Sequence, residues 1–328
     1  MKKILVIQTA FIGDVVLATS VLESLHVEFP DVQLDILVRK GNESLFNGHP
    51  FVRNVLVWNK QEGKYRALAK SIRAVRAMKY DVVVNLHRFA SSGLITALSG
   101  AKSKRGFKKN PLSFLFDVAA DHSLGERGQE KFLHEVDRNH QLIFDLVTTD
   151  RYLPKLYPPQ VQLPEKPYII IAPASVWFTK QYPAERWIEL VNALSGYKIF
   201  IAGARSDASL ANTIIEGSHH TDIENKCGAW SMLESAAFMK GAAMTYCNDS
   251  APMHFCSAVD APVTAVFCST IPEFGFGPLG PKAHIVQVNE NLACRPCGLH
   301  GKRSCPEKHF NCANNIALTD LLNVLRNE

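Results

Sequence analysis

Five stretches of this sequence hold residue types that can do chemistry. The first follows the apolar run Ile4-Leu5-Val6-Ile7: Thr9-Ala10-Phe11-Ile12-Gly13-Asp14-Val15 places a carboxylate where a helix should open. An acid there either caps the helix or, at the mouth of a ligand cleft, serves as a general base. The second is Asn248-Asp249-Ser250-Ala251-Pro252-Met253-His254. Asp249 or Ser250 can cap a helix whose first turn holds Pro252, and the open N–H groups of such a turn bind phosphate. His254 stands one turn in, either facing the ligand or simply buried. The third runs from Ala172 to Trp187, where Ser175, Thr179 and Lys180 suit a diphosphate. Its plain alternative is a surface loop with a solvated lysine. The fourth is Cys294-x2-Cys297-x7-Cys305-x6-Cys312, with His300 and His309 close by. Zinc ligands, reduced structural thiols and disulfides all remain open from the spacing. The other cysteines, 227, 247, 256 and 268, lie in apolar surroundings and read as core. The fifth, Lys102–Lys109, is basic with little aromatic interleaving, so it is a solvated face or a site for an anionic acceptor rather than a nucleic-acid surface.

The elements that must position these groups alternate. Apolar strand candidates at 3–8, 33–38, 54–57, 81–85 and 104–107 are separated by helical patterns at 15–28, 64–78 and 92–98, with a further helix expected over 130–147. Continuous apolar strands between helices predict a parallel sheet covered on both faces. The segment 148–167 carries five prolines (154, 158, 159, 164, 167) and reads as a stiff linker. The rhythm then restarts, with strands at 168–172, 198–202, 243–247 and 263–268 and helices at 185–194, 206–216, 232–240, 252–258 and 316–326. The expectation is α/β throughout: one domain over 1–155, another over 156–328, and a ligand cleft between the carboxyl ends of the two sheets.

Bulk properties agree. A chain of 328 residues, 47% hydrophobic and 20% charged, can build two cores and is not disordered. No uncharged apolar stretch reaches the length of a membrane span. Lys2-Lys3 and the following apolar run imitate a leader, but Gln8 and Asp14 break it, so the run reads as a buried strand in a cytoplasmic protein. The net charge of +5 suits an anionic substrate or an anionic membrane surface. Only Gly13 marks the first turn, so a dinucleotide fingerprint is missing and an oxidoreductase is disfavoured.

Taken in order, Ile7–Asp14, Pro173–Trp187, Asn248–His254 and the Cys-rich tail resemble glycosyltransferase family 9, the lipopolysaccharide heptosyltransferases. The resemblance spans nearly the whole chain. It implies a GT-B fold, with an acceptor-binding first domain and a nucleotide-sugar-binding second domain. It implies an inverting transfer of heptose from ADP-heptose to the lipopolysaccharide inner core, with no cofactor and no catalytic metal. Asp14 then matches the catalytic base. Ser175 and Lys180 match positions beside the donor diphosphate and sugar, and Thr179 belongs to the same donor loop. Asp207 resembles the acid that holds the ribose hydroxyls, and Trp230 the apolar group on adenine. Asp249, Ser250, Ala251 and His254 match the helix start that holds the donor. Ala251 departs from the glycine usual there, and a Cβ restricts close approach of phosphate to the backbone. The resemblance also implies peripheral contact with the cytoplasmic face of the inner membrane and no nucleic-acid partner. A related glycosyltransferase with another nucleotide-sugar, or a nucleotide-sugar- or glycan-binding protein without turnover, are the alternatives; a binding module has no need of Asp14.

Overall fold

The computed structural model describes residues 2–59, 61, 63–148 and 151–327. The chain divides into two compact units, Met1–Leu124 with Leu133–Tyr157, and Gly125–Phe132 with Pro158–Glu328.

In the first unit, β1 (Lys3–Gln8), β2 (Gln33–Arg39), β3 (Val52–Trp58), β4 (Val82–Asn85), β5 (Ser103–Phe107) and β6 (Val118–Ala120) form one sheet in the order β3-β2-β1-β4-β5-β6. Every pairing is parallel. The chain builds outward from β1 through β3, then returns to the other side of β1 as β4, so the strand order reverses between β1 and β4. Ile4, Leu5, Val6 and Ile7 are fully buried, as a central strand covered on both faces requires. Burial of each such side chain contributes about 1.5–3 kcal/mol.

The helix α1 (Ile12–Glu28) is buried on more than one side, which accounts for its weak amphipathic pattern. Its polar residues serve the proline-rich segment: Lys155 N–H donates to Thr19 Oγ1 (2.9 Å), and Tyr157 OH donates to Glu23 Oε1 (3.0 Å). Residues 149 and 150 of the expected linker lie outside the described residues. Helices α2 (Lys64–Met78) and α3 (Ala90–Ala97) cross over between strands.

The long helix expected over 130–147 is corrected to α4, Glu135–His140. His134 ends the pattern on the N-terminal side: its Nδ1 accepts from Val136 N–H, and Asp137 returns a bond to the His134 N–H at 3.0 Å. The residues just before it belong elsewhere, because Gly125–Phe132 group with the second unit. Arg127 donates to the carbonyls of Leu292 (2.7 Å) and Arg295 (2.9 Å). A Cβ on Gly125 would stand 2.1 Å from the Glu273 carbonyl oxygen, so only glycine fits that approach.

The second unit repeats the plan with β7 (Tyr168–Ala172), β8 (Lys198–Ile201), β9 (Ile223–Asn225), β10 (Met244–Asn248), β11 (Val263–Phe267) and β12 (Ala283–Gln287), in the order β12-β11-β10-β7-β8-β9. All pairs are again parallel. The order reverses between β7 and β10. Helices α5 (Ala184–Ala193), α6 (Ala208–Gly217), α7 (Met232–Gly241), α8 (Ala251–Val259), α9 (Asn311–Asn314) and α10 (Leu318–Asn327) cover the sheet. One core joins Ile169 and Ile171 to Trp187, Leu190, Val266 and, from the tail, Ile316 and Leu321.

Candidate active site

In open α/β sheets, ligands bind outside the carboxyl ends of the strands where the order reverses. Both units place candidate residues there. In the first, the loops after β1 and β4 are tied by Thr9 Oγ1 and His87 Nδ1 at 2.8 Å. Asp14 stands in the first turn of α1, and no side chain of the N-cap residue Phe11 caps that turn. Desolvation by burial, and then the charge of Glu135, push the Asp14 carboxyl up to about 6; Arg88 and the N–H groups of Asp14 and Phe11 pull the other way. A helix-end position and a raised proton affinity therefore coexist in one residue. The N–H groups hold the carboxylate, and burial gives it a proton affinity near neutrality.

Behind it lies a chain that the sequence reading missed. Arg88 Nη1 is 2.8 Å from His122 Nδ1, His122 Nε2 is 2.9 Å from Glu135 Oε2, and Arg138 Nε reaches the same oxygen at 2.8 Å. A guanidinium can only donate, so His122 accepts at Nδ1 and donates from Nε2, as neutral imidazole does. Burial holds the His122 pKa below its ordinary value, against the pull of Glu135. Burial works to raise that of Glu135, but His122 and Arg138 together bring it below the usual range. Glu135 is thus a fixed, buried carboxylate shared between two donors, His122 and Arg138. Arg88 stands 34 residues before His122 and His122 13 before Glu135, and only Glu135 and Arg138 share a turn of α4, so no local spacing announces the set.

In the second unit, Asn248 at the end of β10 spans the reversal: its Oδ1 accepts from Tyr182 N–H (2.9 Å) and its Nδ2 donates to Pro173 O (2.6 Å). These bonds fix the loop after β7 against the start of α8. On that loop Lys180 Nζ lies 2.7 Å from Asp249 Oδ2, both side chains largely buried, and Thr270 Oγ1 donates to the same oxygen at 2.6 Å. Asp249 therefore holds a lysine rather than capping a helix. Ser250 is the N-cap residue of α8, but its hydroxyl donates to Asn248 O (3.3 Å) and no side chain caps the turn. Arg295, also unforeseen, is buried and binds the Phe267 and Thr270 carbonyls at 3.2 and 2.7 Å, steadying the loop after β11.

The remaining expected residues divide. Thr179 turns inward: its hydroxyl is 3.0 Å from Ser269 Oγ and accepts from Lys302 N–H at 2.7 Å, so it ties the loop after β7 to the Cys-rich tail. Ser175 and Ala251 are half-buried, and His254 is buried. Asp207 Oδ2 accepts from Ala204 N–H (2.8 Å), closing a turn of 3-10 helix over 205–207. Trp230 stacks on Phe238 at 4.1 Å and meets Phe200 edge-on at 5.3 Å. All eight cysteines are thiols. Cys294, Cys297, Cys305 and Cys312 line a cavity of about 310 Å³ with His309, but among the described residues no three ligands converge as a metal requires. Burial pushes the Cys312 thiol up to about 12.

Two parallel six-stranded Rossmann-like units, each with polar groups at its strand-order reversal, are the parts of a GT-B glycosyltransferase. The sequence pattern of glycosyltransferase family 9 (heptosyltransferase) matches residues 68–309, and the chain belongs to that family. It is 23% identical to lipopolysaccharide heptosyltransferase 1 of Pseudomonas aeruginosa, over 90% of this chain and 86% of that one. It is 24% identical to lipopolysaccharide heptosyltransferase 1 of Escherichia coli K12, over 88% and 96%. The solved structure of E. coli ADP-heptose LPS heptosyltransferase II has the same fold, with a TM-score of 0.79 at 20% identity, covering 100% of this chain and 98% of that one. This protein is a glycosyltransferase. Among the described residues no helix is long and apolar enough to cross a membrane.

Proposed function

We propose that this enzyme moves heptose from ADP-heptose to the inner core of lipopolysaccharide with inversion, at the cytoplasmic face of the inner membrane. The observation that carries the reading is Asp14, a carboxyl with its pKa raised to about 6 at the strand-order reversal of the first unit. Asp14 takes the proton of an acceptor hydroxyl as that oxygen bonds to the anomeric carbon. The bond from that carbon to the diphosphate oxygen breaks, and ADP leaves with the electron pair. Lys180 and the first-turn N–H groups of α8 stabilise the leaving diphosphate. Asp249 and Thr270 keep the lysine on its loop until the donor arrives. The first unit binds the acceptor and the second the donor. There Asp207 faces the ribose, Trp230 the adenine, and Ser175, Ser250, Ala251 and His254 the diphosphate sugar. Thr179 supports this set from behind.

The test is transfer by the purified protein from ADP-heptose to an inner-core acceptor, beside Asp14→Asn. Product from the wild type and a loss of at least about 100-fold in the variant are expected. Equal rates would remove Asp14 from the chemistry. No product from ADP-heptose, with product from another nucleotide-sugar, would move the reading to a related glycosyltransferase, a change in donor that Ala251 makes the first place to examine.

A further inference from the structure

We propose that the solvent face of α2 is the surface by which this protein docks on an anionic lipid bilayer. The helix Lys64–Met78 reads KYRALAKSIRAVRAM: five cations and no carboxylate. Those five equal the formal excess of the entire chain, +5, so outside this helix 31 Lys and Arg balance 31 Asp and Glu. Arg66, Lys70, Arg73 and Arg76 are all exposed and recur at intervals of four, three and three residues, which sets them on one stripe roughly 15 Å long. Among the described residues, Arg66, Arg73 and Arg76 pair with no carboxylate. Between them stand Ala69 and Ala74, small and exposed, and Tyr65 at the head of the helix is 80% exposed.

The opposite face fixes how this stripe can be used. Ala67 and Val75 are buried in the core of the first unit, and Leu68, Ile72 and Met78 pack against it. The helix therefore lies along its unit and offers a single flat side. A recognition helix is itself half-buried in its domain, so duplex DNA is the competing partner that the binding assay must separate from lipid. A flat, laterally extended anion is the matching partner, and long basic side chains reach its phosphates while their stems and the tyrosine ring settle at the interface. The choice of a lipid surface rests on the proposed lipid-anchored acceptor; the charge and the geometry of the stripe do not.

Sedimentation with vesicles tests this apart from catalysis. The full-length protein is mixed with vesicles of phosphatidylcholine alone, or with one-third phosphatidylglycerol, and transfer to a water-soluble core fragment is assayed in parallel. The wild type should bind only the anionic vesicles, and less as salt rises. The triple variant Arg66→Gln, Arg73→Gln, Arg76→Gln should lose roughly 100-fold in partition. It should keep its melting temperature and its transfer to the soluble fragment. The triple Arg→Lys variant should bind within a few-fold of wild type. Wild type that ignores anionic vesicles, or binds neutral ones equally, would overturn the proposal. So would a Gln variant that binds like wild type, or duplex DNA displacing the protein from anionic vesicles. Failure of transfer by the wild type would count against the proposed reaction and leave the sedimentation result standing.

Discussion

The Asp14 titration predicts a pH profile whose movement on mutation has a known sign. Its pKa rises from 3.8 to about 6, which at about 1.36 kcal/mol per unit is roughly 3 kcal/mol between its two protonation states. A base must be ionised, so kcat/KM should be flat above pH 7 and fall about tenfold per unit below 6. Two neighbours set the position of that limb in opposite directions. Arg88 favours the carboxylate, so Arg88→Gln should move the limb to higher pH. Glu135 disfavours it, so Glu135→Gln should move the limb to lower pH. Glu135 also pairs with buried Arg138, and breaking such a pair costs about 3–5 kcal/mol, so that variant needs a melting curve beside its kinetics. The assay is kcat/KM for the acceptor from pH 4.5 to 8.5 at saturating donor. Limbs that stay fixed in both variants, or that move in the reverse order, would refute the electrostatic account.

The same raised pKa has a cost in stability. A carboxyl harder to ionise in the folded state opposes folding above pH 6, and the penalty vanishes as pH falls below the unfolded value. Asp14→Asn should therefore stabilise the protein at pH 8, by up to about 3 kcal/mol before discount for partial exposure, with no gain at pH 3.5 in thermal melts. Lys180→Ala should weaken ADP binding about 10- to 150-fold by calorimetry and lower kcat further, because the leaving diphosphate gains charge in the transition state. Lys180→Arg should restore part of it, since a planar fork replaces a point charge. Asn248→Ala should lower stability by about 1–3 kcal/mol in urea melts and loosen the donor loop, seen as a higher KM for the donor. Transfer should persist in EDTA, because in the proposed reaction Lys180 and the α8 turn stabilise the leaving diphosphate; loss of rate restored by Mg²⁺ would contradict that.

Strands with unbroken apolar runs were legible, and β1 and β7 keep the bounds their sequence implied. The three-residue strands β6 and β9 were not, because edge positions half-open to solvent need no apolar run. The helix α4 was overdrawn since a sequence window cannot see that Gly125–Phe132 belong to another unit. The candidate residues on short strand-to-helix turns, Asp14, Lys180 and Asp249, stand out in the sequence because suitable chemistry and a turn coincide there. The pairing of Lys180 with Asp249 was not, as 69 positions separate residues that meet only when β7 and β10 align. Thr179 shows the converse: a hydroxyl beside a ligand loop in sequence can point the other way, into the tail that supports it.

The central claim is that heptose is transferred from an ADP donor with inversion. It is met most directly by one competition. The purified protein, an inner-core acceptor and equal amounts of ADP-heptose, ADP-glucose, GDP-mannose and UDP-glucose are incubated, and the product is read by mass and by the anomeric coupling in its NMR spectrum. The account predicts a single heptose added, with anomeric configuration opposite to that of the donor. A hexose in the product, or a heptose joined with the donor's configuration retained, would contradict it.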